Sequence, residues 1–215
     1  MNTGIASQSI KPYEIIVTTK GNIAEGRNEY LRKAQGDYIA CFDMGCYYPP
    51  NYSEMMIKKL EDENADIVIG VVRPKKPSCM IQEFCALRLP QYDRFTKADW
   101  DNFIPSNRQV IFKRDIIKRL GLIPTKFYRS DDTYWFRKAK EIGLKFAYCQ
   151  DAVVYWEGKR SLYSYLKTVY NDNKCDKKFK IKGFQAAHKI SPLIFPYGFV
   201  VSIIAGIAKI IARIT

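Results

Sequence analysis

Residues 24–46 read AEGRNEYLRKAQGDYIACFDMGC, and this stretch decides the fold class. Its first part, Glu25 to Ala34, predicts a helix between Gly21 and Gly36. Its second part, Asp37 to Asp43, predicts a buried strand that ends in an acidic residue. A helix followed directly by an apolar strand is typical of an α/β protein.

The alternation of strands and helices continues on both sides of this stretch. Residues 13–18 (YEIIVT) predict a short buried strand before it, and residues 65–72 (ADIVIGVV) predict another strand after a helix over residues 52–63. Asn51, with Glu54 three residues later, fits a capping box at the start of that helix. Strands that are almost continuously apolar and alternate with helices predict a mostly parallel sheet, covered by helices on both faces.

The second half of the chain is less regular at first. Residues 73–106 contain four prolines and predict irregular connections with short helices. A strand over residues 108–113 then precedes a helix that ends at Leu120, and the acidic residues after Ser130 open a helix that runs to Ile142. The last two predicted strands are residues 144–149 and 152–156.

Composition narrows the kinds of chemistry available to the chain. Its 215 residues carry 35 Lys and Arg against 22 Asp and Glu, and a net charge of +13 predicts an anionic partner: nucleic acid, phospholipid or a phosphorylated small molecule. Six cysteines without a CxxC pair favour reduced thiols over a zinc site or a disulfide framework. A single histidine, His188, disfavours catalytic triads, so acid-base chemistry falls to carboxylates.

The C-terminal part of the chain has its own pattern. Residues 158–182 hold eight basic and two acidic residues, and residues 190–208 hold no charged residue. As a helix, this uncharged run would span about 28 Å, close to a bilayer's hydrocarbon core, although Pro192 and Pro196 interrupt its first part. Small and polar residues on one face favour a helix that lies in the membrane interface or packs on a second helix, with a soluble core helix as the alternative. The predicted organisation is a domain over 1–170, a basic linker over 171–189 and a membrane-associating helix over 190–215.

Several polar residues are candidates for a binding site. Residues 21–28 have the glycine spacing of a phosphate-binding loop, but Arg27 and Asn28 stand where such a loop needs Lys and Ser or Thr, which disfavours nucleotide hydrolysis. At the junction of a loop and a helix, these two residues could instead serve an anionic ligand. Asp43 ends a hydrophobic strand, where the ligand crevices of open α/β sheets lie.

Two further groups of residues allow both a functional and a structural interpretation. Asp131 and Asp132 are adjacent carboxylates that could poise a general base, or could cap the helix and face solvent. Ser106 and Arg108, close to other basic residues, either face a ligand or form the exposed rim of an edge strand.

Four segments in order resemble the family 2 glycosyltransferases of the GT-A fold. They are SQSIKPYEIIV from residue 7, AEGRNEYLRKAQGDYIACFDMGC from residue 24, ADIVIG from residue 65 and SDDTYWFRKAKEIGLKFAYCQDAVVYW from residue 130. The resemblance covers about residues 3–170 and lies in the order of the segments more than in one motif. The DxGC form of the DxD motif and the hydrophobic C-terminus are similar to a membrane-associated microbial branch of the family.

The resemblance implies a role for each candidate residue. Asp132 corresponds to the base that removes the acceptor hydroxyl proton, and Asp131 lies beside it. A divalent metal, Mg²⁺ or Mn²⁺, is implied beside Asp43. The residues implied on the donor side are Asp43, Arg27, Asn28 and Gly45, and those implied on the acceptor or phosphate side are Ser106 and Arg108.

The chain departs from the family pattern at three places. Gly45 stands at the position of the second DxD aspartate, and Trp156 lies where many members have a metal-binding histidine. The family's first strand would precede residue 3, so we expect either that the start of the chain was placed too late or that the protein is a degenerate remnant.

The leading hypothesis is an inverting glycosyltransferase on the cytoplasmic side of a membrane. It would move a sugar from a nucleotide-sugar donor to a lipid-linked or cell-surface glycan. The alternative is a catalytically inactive, membrane-anchored binding module of the same fold, which donor turnover would distinguish. Nucleic-acid binding is disfavoured because the net charge is its only support.

Overall fold

The computed structural model describes residues 4–19 and 21–179, together with the helical residues 203, 204, 207–209 and 211. In this part of the chain the strands are β1 Tyr38–Ala40, β2 Cys46–Tyr47, β3 Ile67–Pro74, β4 Val110–Lys113 and β5 Phe146–Trp156. They form one sheet in the order β1-β4-β3-β5-β2. The α/β class is therefore confirmed.

The strands of this sheet run in both directions. β4 is antiparallel to β1 and to β3, β2 is antiparallel to β5, and β3 is parallel to β5. The prediction of a mostly parallel sheet was therefore wrong, and the sheet is mixed. An apolar run such as Ile67–Val72 indicates that a strand is buried on both faces. A mixed sheet buries its strands in the same way, so the run does not predict strand direction.

Helices flank the sheet and fill the connections between strands. In the described residues, they are α1 Ile23–Lys33, α2 Tyr52–Asp62, α3 Met80–Leu87, α4 Lys97–Asn102, α5 Ile116–Leu120, α6 Asp131–Glu141 and α7 Leu162–Phe179, with 3-10 turns at Tyr92–Arg94 and Asn107–Gln109. The predicted helices over residues 52–63 and 130–142 are confirmed within two residues. The irregular stretch over residues 73–106 holds α3 and α4, as expected.

Helix starts are stabilised differently from the prediction. A capping box forms at α1, where the Asn22 side chain accepts from the Glu25 backbone N–H and the Glu25 side chain accepts from the Asn22 backbone N–H. The capping box predicted for Asn51 and Glu54 was wrong. The Asn51 side chain makes no cap hydrogen bond, and Glu54 instead accepts a hydrogen bond of 2.6 Å from the Ser9 hydroxyl.

The centre of the sheet depends on a close approach between β3 and β5. A Cβ atom at Gly70 would lie 2.6 Å from the Ala152 carbonyl oxygen, so only glycine fits there. The register between the two strands shifts at this point. β5 continues through the shift as one strand of 11 residues, which corrects the prediction of two short strands.

Residues 13–18 do not form the predicted strand. Residues 11–19 make no backbone hydrogen bond to another backbone group in the described part of the chain. Tyr13, Ile15 and Val17 are 80%, 61% and 76% exposed. An apolar run with high strand propensity becomes a strand only beside a partner strand, and β1, at the edge of the sheet, is paired with β4 alone.

Helix α7 packs against the domain. Its buried Tyr165 contacts Phe84 of α3 with ring centroids 5.4 Å apart, and Asp172 forms a 2.6 Å ion pair with Arg129. The predicted domain boundary at residue 170 falls inside this helix, so the predicted basic linker over residues 171–189 begins within it.

The predicted membrane-associating segment, residues 190–215, lies largely outside the described residues. Across the described ranges, no helix is both long enough and apolar enough to cross a bilayer.

Candidate active site

Most of the candidate residues lie near one edge of the sheet, the edge formed by the carboxyl ends of β1, β3 and β5. Because β4 is antiparallel to β1 and β3, the start of β4 lies at the same edge as the ends of β1, β3 and β5. Asp43 follows β1, Arg108 precedes β4, and Trp156 ends β5. This is the edge where open α/β sheets bind ligands.

Arg108 joins the other two side chains at this edge. Its Nε atom lies 3.8 Å from the Asp43 Oδ2 atom, and its guanidinium lies over the Trp156 ring, 5.1 Å from the centroid. The Nε atom is buried and makes no hydrogen bond to the described residues. The side chains of Arg108 and Asp43 are 28% and 39% exposed, so both remain accessible to a ligand.

Tyr48 holds the backbone of this site, and the sequence analysis missed it. Its hydroxyl accepts a 3.0 Å hydrogen bond from the Asp43 backbone N–H and donates to the Arg108 carbonyl oxygen at 3.0 Å. The residue is fully buried, between the rings of Phe42 and Tyr52. The hydroxyl therefore ties the segment after β1 to the segment before β4.

A second group of residues, the Arg27 cluster, comprises Arg27, Asn107, Asp131 and Asp132. Arg27 of α1 forms an ion pair with the nearly buried carboxylate of Asp131 at the start of α6. The Asn107 side-chain oxygen, turned toward the guanidinium, accepts from Nη1 at 2.6 Å, Nε at 2.7 Å and Nη2 at 3.2 Å. These contacts hold Arg27 and Asp131 in fixed orientations.

The Arg27 cluster is coupled electrostatically to Asp43. Burial lowers the pKa of Arg27, but Asp132, Asp131, Tyr30 and Asp43 more than offset this effect, so the pKa lies above its ordinary value. Burial raises the pKa of Asp131 to about 6; the Arg27 guanidinium opposes this shift and the Asp132 carboxylate adds to it. The charges of three predicted carboxylates therefore raise the pKa of one guanidinium, and Asp131 is in direct contact with it.

Asp132 differs from Asp131 in its surroundings. It is partly exposed, and its Oδ1 atom accepts a 2.8 Å hydrogen bond from the Thr133 backbone N–H. Ser130 precedes the pair in the left-handed conformation with φ 56°, so α6 begins abruptly with both carboxylates in its first turn. A carboxylate with one anchored oxygen and access to solvent is suited to accept a proton from a bound hydroxyl.

The structure does not bring every predicted residue into the site. The buried amide of Asn28 bonds to both backbone groups of Ile123, at 2.6 and 2.8 Å, so Asn28 serves the fold and not a ligand. Ser106 lies beside Gln109, with the hydroxyl 3.5 Å from its Oε1 atom. Gly45 forms a turn with φ 82° and offers no side chain.

The side chains around Asp43 do not fit a divalent-metal site. Asp43 faces the guanidinium of Arg108, Gly45 contributes no ligand, and Trp156 presents a ring that Arg108 covers. Mg²⁺ at such sites is usually held by one or two carboxylates together with phosphate oxygens of the ligand, and here the single carboxylate already faces a guanidinium. No group of three or more His, Cys, Asp or Glu side chains within the described ranges could hold a metal ion.

The six cysteines form no disulfide bond with one another, and of the predicted core thiols Cys79 is exposed. Burial raises the pKa of Cys46, next to the Asp43 turn, to about 11, and Arg108 opposes the shift. This thiol is therefore protonated near neutral pH and is not a nucleophile there.

Comparison with known proteins adds an independent finding. Residues 4–121, more than half of the chain, match the sequence model of a family described as Glycosyl transferase family 2. No curated protein matches the chain.

Two solved structures share the fold. A mannosyltransferase from Pyrobaculum calidifontis in complex with GDP-Man and Mn²⁺ aligns with a TM-score of 0.53 at 19% identity, over 95% of this chain and 55% of that one. S. aureus TarS 1-349 in complex with UDP-GlcNAc aligns with a TM-score of 0.53 at 11% identity, over 74% of this chain and 48% of that one. The chain thus spans about half the length of these two proteins.

Proposed function

Because the chain belongs to glycosyl transferase family 2, we propose that it transfers a sugar from a nucleotide-sugar donor to an acceptor hydroxyl with inversion at the anomeric carbon. One observation carries the proposal. Arg27 pairs with Asp131, which adjoins Asp132, and the charge of Asp43 also raises the pKa of Arg27, so we place a donor-side carboxylate and the candidate base in one site.

Asp132 is the base in this mechanism. Its partly exposed carboxylate accepts the proton of the acceptor hydroxyl while the hydroxyl oxygen forms a bond to the anomeric carbon. The bond between that carbon and the diphosphate oxygen breaks, and the nucleoside diphosphate leaves with the bonding electrons. One displacement with one base inverts the configuration.

Asp131 has a positioning role. Its carboxylate is nearly buried and paired with Arg27, so it is not accessible to an acceptor. Through this pair it fixes the first turn of α6 and holds a guanidinium beside Asp132. Asp43, exposed at the sheet edge, contacts the ribose or the diphosphate of the donor in this proposal.

The acceptor is proposed from the C-terminal pattern. We propose a lipid-linked or cell-surface glycan, reached from the cytoplasmic side of a membrane. Ile203, Ile207 and Ile211 support this proposal because they are helical, four residues apart and each about half exposed, which puts an apolar face on one side.

The Asp132→Asn variant tests the catalytic proposal. The amide has nearly the same size but cannot accept the proton, so turnover should fall about 10²- to 10⁴-fold with unchanged donor affinity. Release of nucleoside diphosphate from GDP-mannose and UDP-GlcNAc, among other donors, measures turnover even with water as acceptor. Calorimetry measures donor affinity.

Glu141→Gln, an exposed change at the other end of α6, is the matched control and should leave both quantities unchanged. Full turnover in Asp132→Asn would remove the base role from Asp132. Donor binding by the wild type without turnover would instead support the inactive binding module.

A further inference from the structure

The side chains around Asp43 determine which positive charge could stabilise the leaving diphosphate. When the bond to the anomeric carbon breaks, negative charge develops on the leaving diphosphate, and a nearby positive charge must stabilise it. The turn over residues 43–46 offers a single carboxylate, and that carboxylate already faces Arg108 at 3.8 Å. A divalent cation held by Asp43 would therefore sit beside a guanidinium and be repelled by it.

The Arg108 side chain has the properties of an anion-binding group. Its Nε atom is buried beside Asp43 and makes no hydrogen bond within the described part of the chain, so Asp43 holds one side of the guanidinium by charge alone. The guanidinium is planar and presents several N–H donors in a fork that matches phosphate oxygens. The residue remains 28% exposed, on the same edge as Asp43.

The surroundings of Arg108 fix its orientation before any ligand arrives. Trp156 lies under the guanidinium, 5.1 Å from ring centroid to Cζ, and such stacking holds the plane of the group. The Arg108 carbonyl oxygen is bonded to the Tyr48 hydroxyl at 3.0 Å. A preoriented cation loses little freedom on binding an anion.

We propose that Arg108, held on Trp156, supplies the positive charge that binds and stabilises the donor diphosphate, so that this chain binds its donor without a divalent metal. The inference rests on the proposed function. In it, Asp43 lies beside the buried Nε atom and keeps the guanidinium in place, and the diphosphate oxygens bind N–H donors on the exposed part of the guanidinium. The nucleoside diphosphate leaves as an anion, because arginine does not give up a proton at neutral pH.

The test measures binding of GDP and UDP to the full chain by calorimetry, first in EDTA and then with added Mn²⁺. We expect the affinity for the preferred nucleotide to change less than threefold between the two conditions. Arg108→Ala should weaken binding in EDTA at least tenfold and should lower turnover further than it lowers affinity. Arg108→Lys keeps the charge but loses the forked donors and the stacked plane. Its nucleotide affinity should therefore lie between that of the wild type and that of Arg108→Ala.

Three more variants distinguish a specific contact of Arg108 with the nucleotide from an effect of net charge or of misfolding. Arg114→Ala removes an exposed charge just after β4 and should leave binding unchanged. Trp156→Leu should weaken binding while Trp156→Phe, which keeps an aromatic face, should retain most of it. The measurement in EDTA on the wild type needs no variant, so the inference stays testable if a substitution prevents folding.

The outcomes distinguish the inference from the proposed function. Binding that disappears in EDTA and returns with Mn²⁺ would overturn the role of Arg108 and leave the transferase proposal intact. Binding in EDTA without turnover would support the role of Arg108 and contradict the transferase. No binding of either nucleotide under both conditions would overturn both.

Discussion

The Asp131 carboxyl has a pKa of about 6 in the folded protein, against an ordinary value of 3.8, chiefly because it is buried. The folded protein therefore binds more protons than the unfolded chain between about pH 4 and pH 6. The stability that this carboxyl contributes is present below about pH 4 and is lost as the pH rises through about 6. A shift of this size corresponds to at most about 3 kcal/mol.

The Asp131→Asn variant tests the direction of this pH dependence, because its amide side chain does not titrate. We expect the free energy of unfolding of the wild type, measured in urea from pH 4 to pH 7.5, to fall relative to that of the variant as the pH rises. If the wild type instead gains relative stability, the Arg27 pair outweighs burial and holds the pKa below its ordinary value.

Single residues also show where the sequence stops being informative. Asp43, Arg27, Asp131 and Arg108 were predicted from local patterns, and the structure brings them to one region of the molecule. The role of Asn28 was not predictable, because its partner Ile123 lies 95 positions along the chain.

At the scale of elements, the segment between β1 and β2 depends on the Tyr48 hydroxyl. Tyr48→Phe removes it and leaves the Asp43 N–H and the Arg108 carbonyl without their partner. We expect a loss of about 1–3 kcal/mol in the free energy of unfolding, and weaker binding of GDP or UDP as Asp43 and Arg108 lose their mutual placement. Urea unfolding and calorimetry measure the two effects.

Tyr163→Phe, at a residue that is 74% exposed, controls for loss of a tyrosine hydroxyl and should change neither quantity. An unchanged Tyr48→Phe variant would mean that the hydroxyl does not position the site. No local signal marks Tyr48, since its partner Arg108 lies 60 positions along the chain.

Elements with an amphipathic pattern were predictable, and those that depend on a neighbour were not. α2 and α6 each bury one face, and their bounds match the prediction closely. Residues 13–18 have the composition of a strand, but backbone pairing requires a partner that local sequence does not reveal. The direction of β4 depends in the same way on the whole connection from β3.

At the scale of the whole molecule, the proposed membrane attachment combines charge and apolar surface. Exposed Lys167, Lys177 and Lys178 of α7 attract anionic headgroups, each contributing about 1 kcal/mol, and salt weakens this term. Burial of isoleucines in the C-terminal segment, at about 1.5–3 kcal/mol each when complete, does not depend on salt.

Flotation with vesicles tests this proposal. The full chain should float with phosphatidylglycerol vesicles at 0.05 and at about 0.5 M salt. A truncation that ends at Lys189 should be released as the salt concentration rises, and neutral phosphatidylcholine vesicles should hold it least. A full chain that fails to float at low salt, or a truncation that stays bound at high salt, would contradict the attachment.

Residues 11–19, whose backbone pairs with no other backbone group in the described part of the chain, affect the colloidal behaviour of the protein. Free backbone N–H and C=O groups, with exposed Tyr13, Ile15 and Val17 at alternate positions, form a template on which a strand of another molecule can pair. The net charge of +13 keeps molecules apart at low ionic strength, but at about 0.15 M salt the Debye length shrinks to about 8 Å. Salt that weakens the electrostatic attraction of the protein to anionic surfaces thus also weakens its protection against fibrillar self-association.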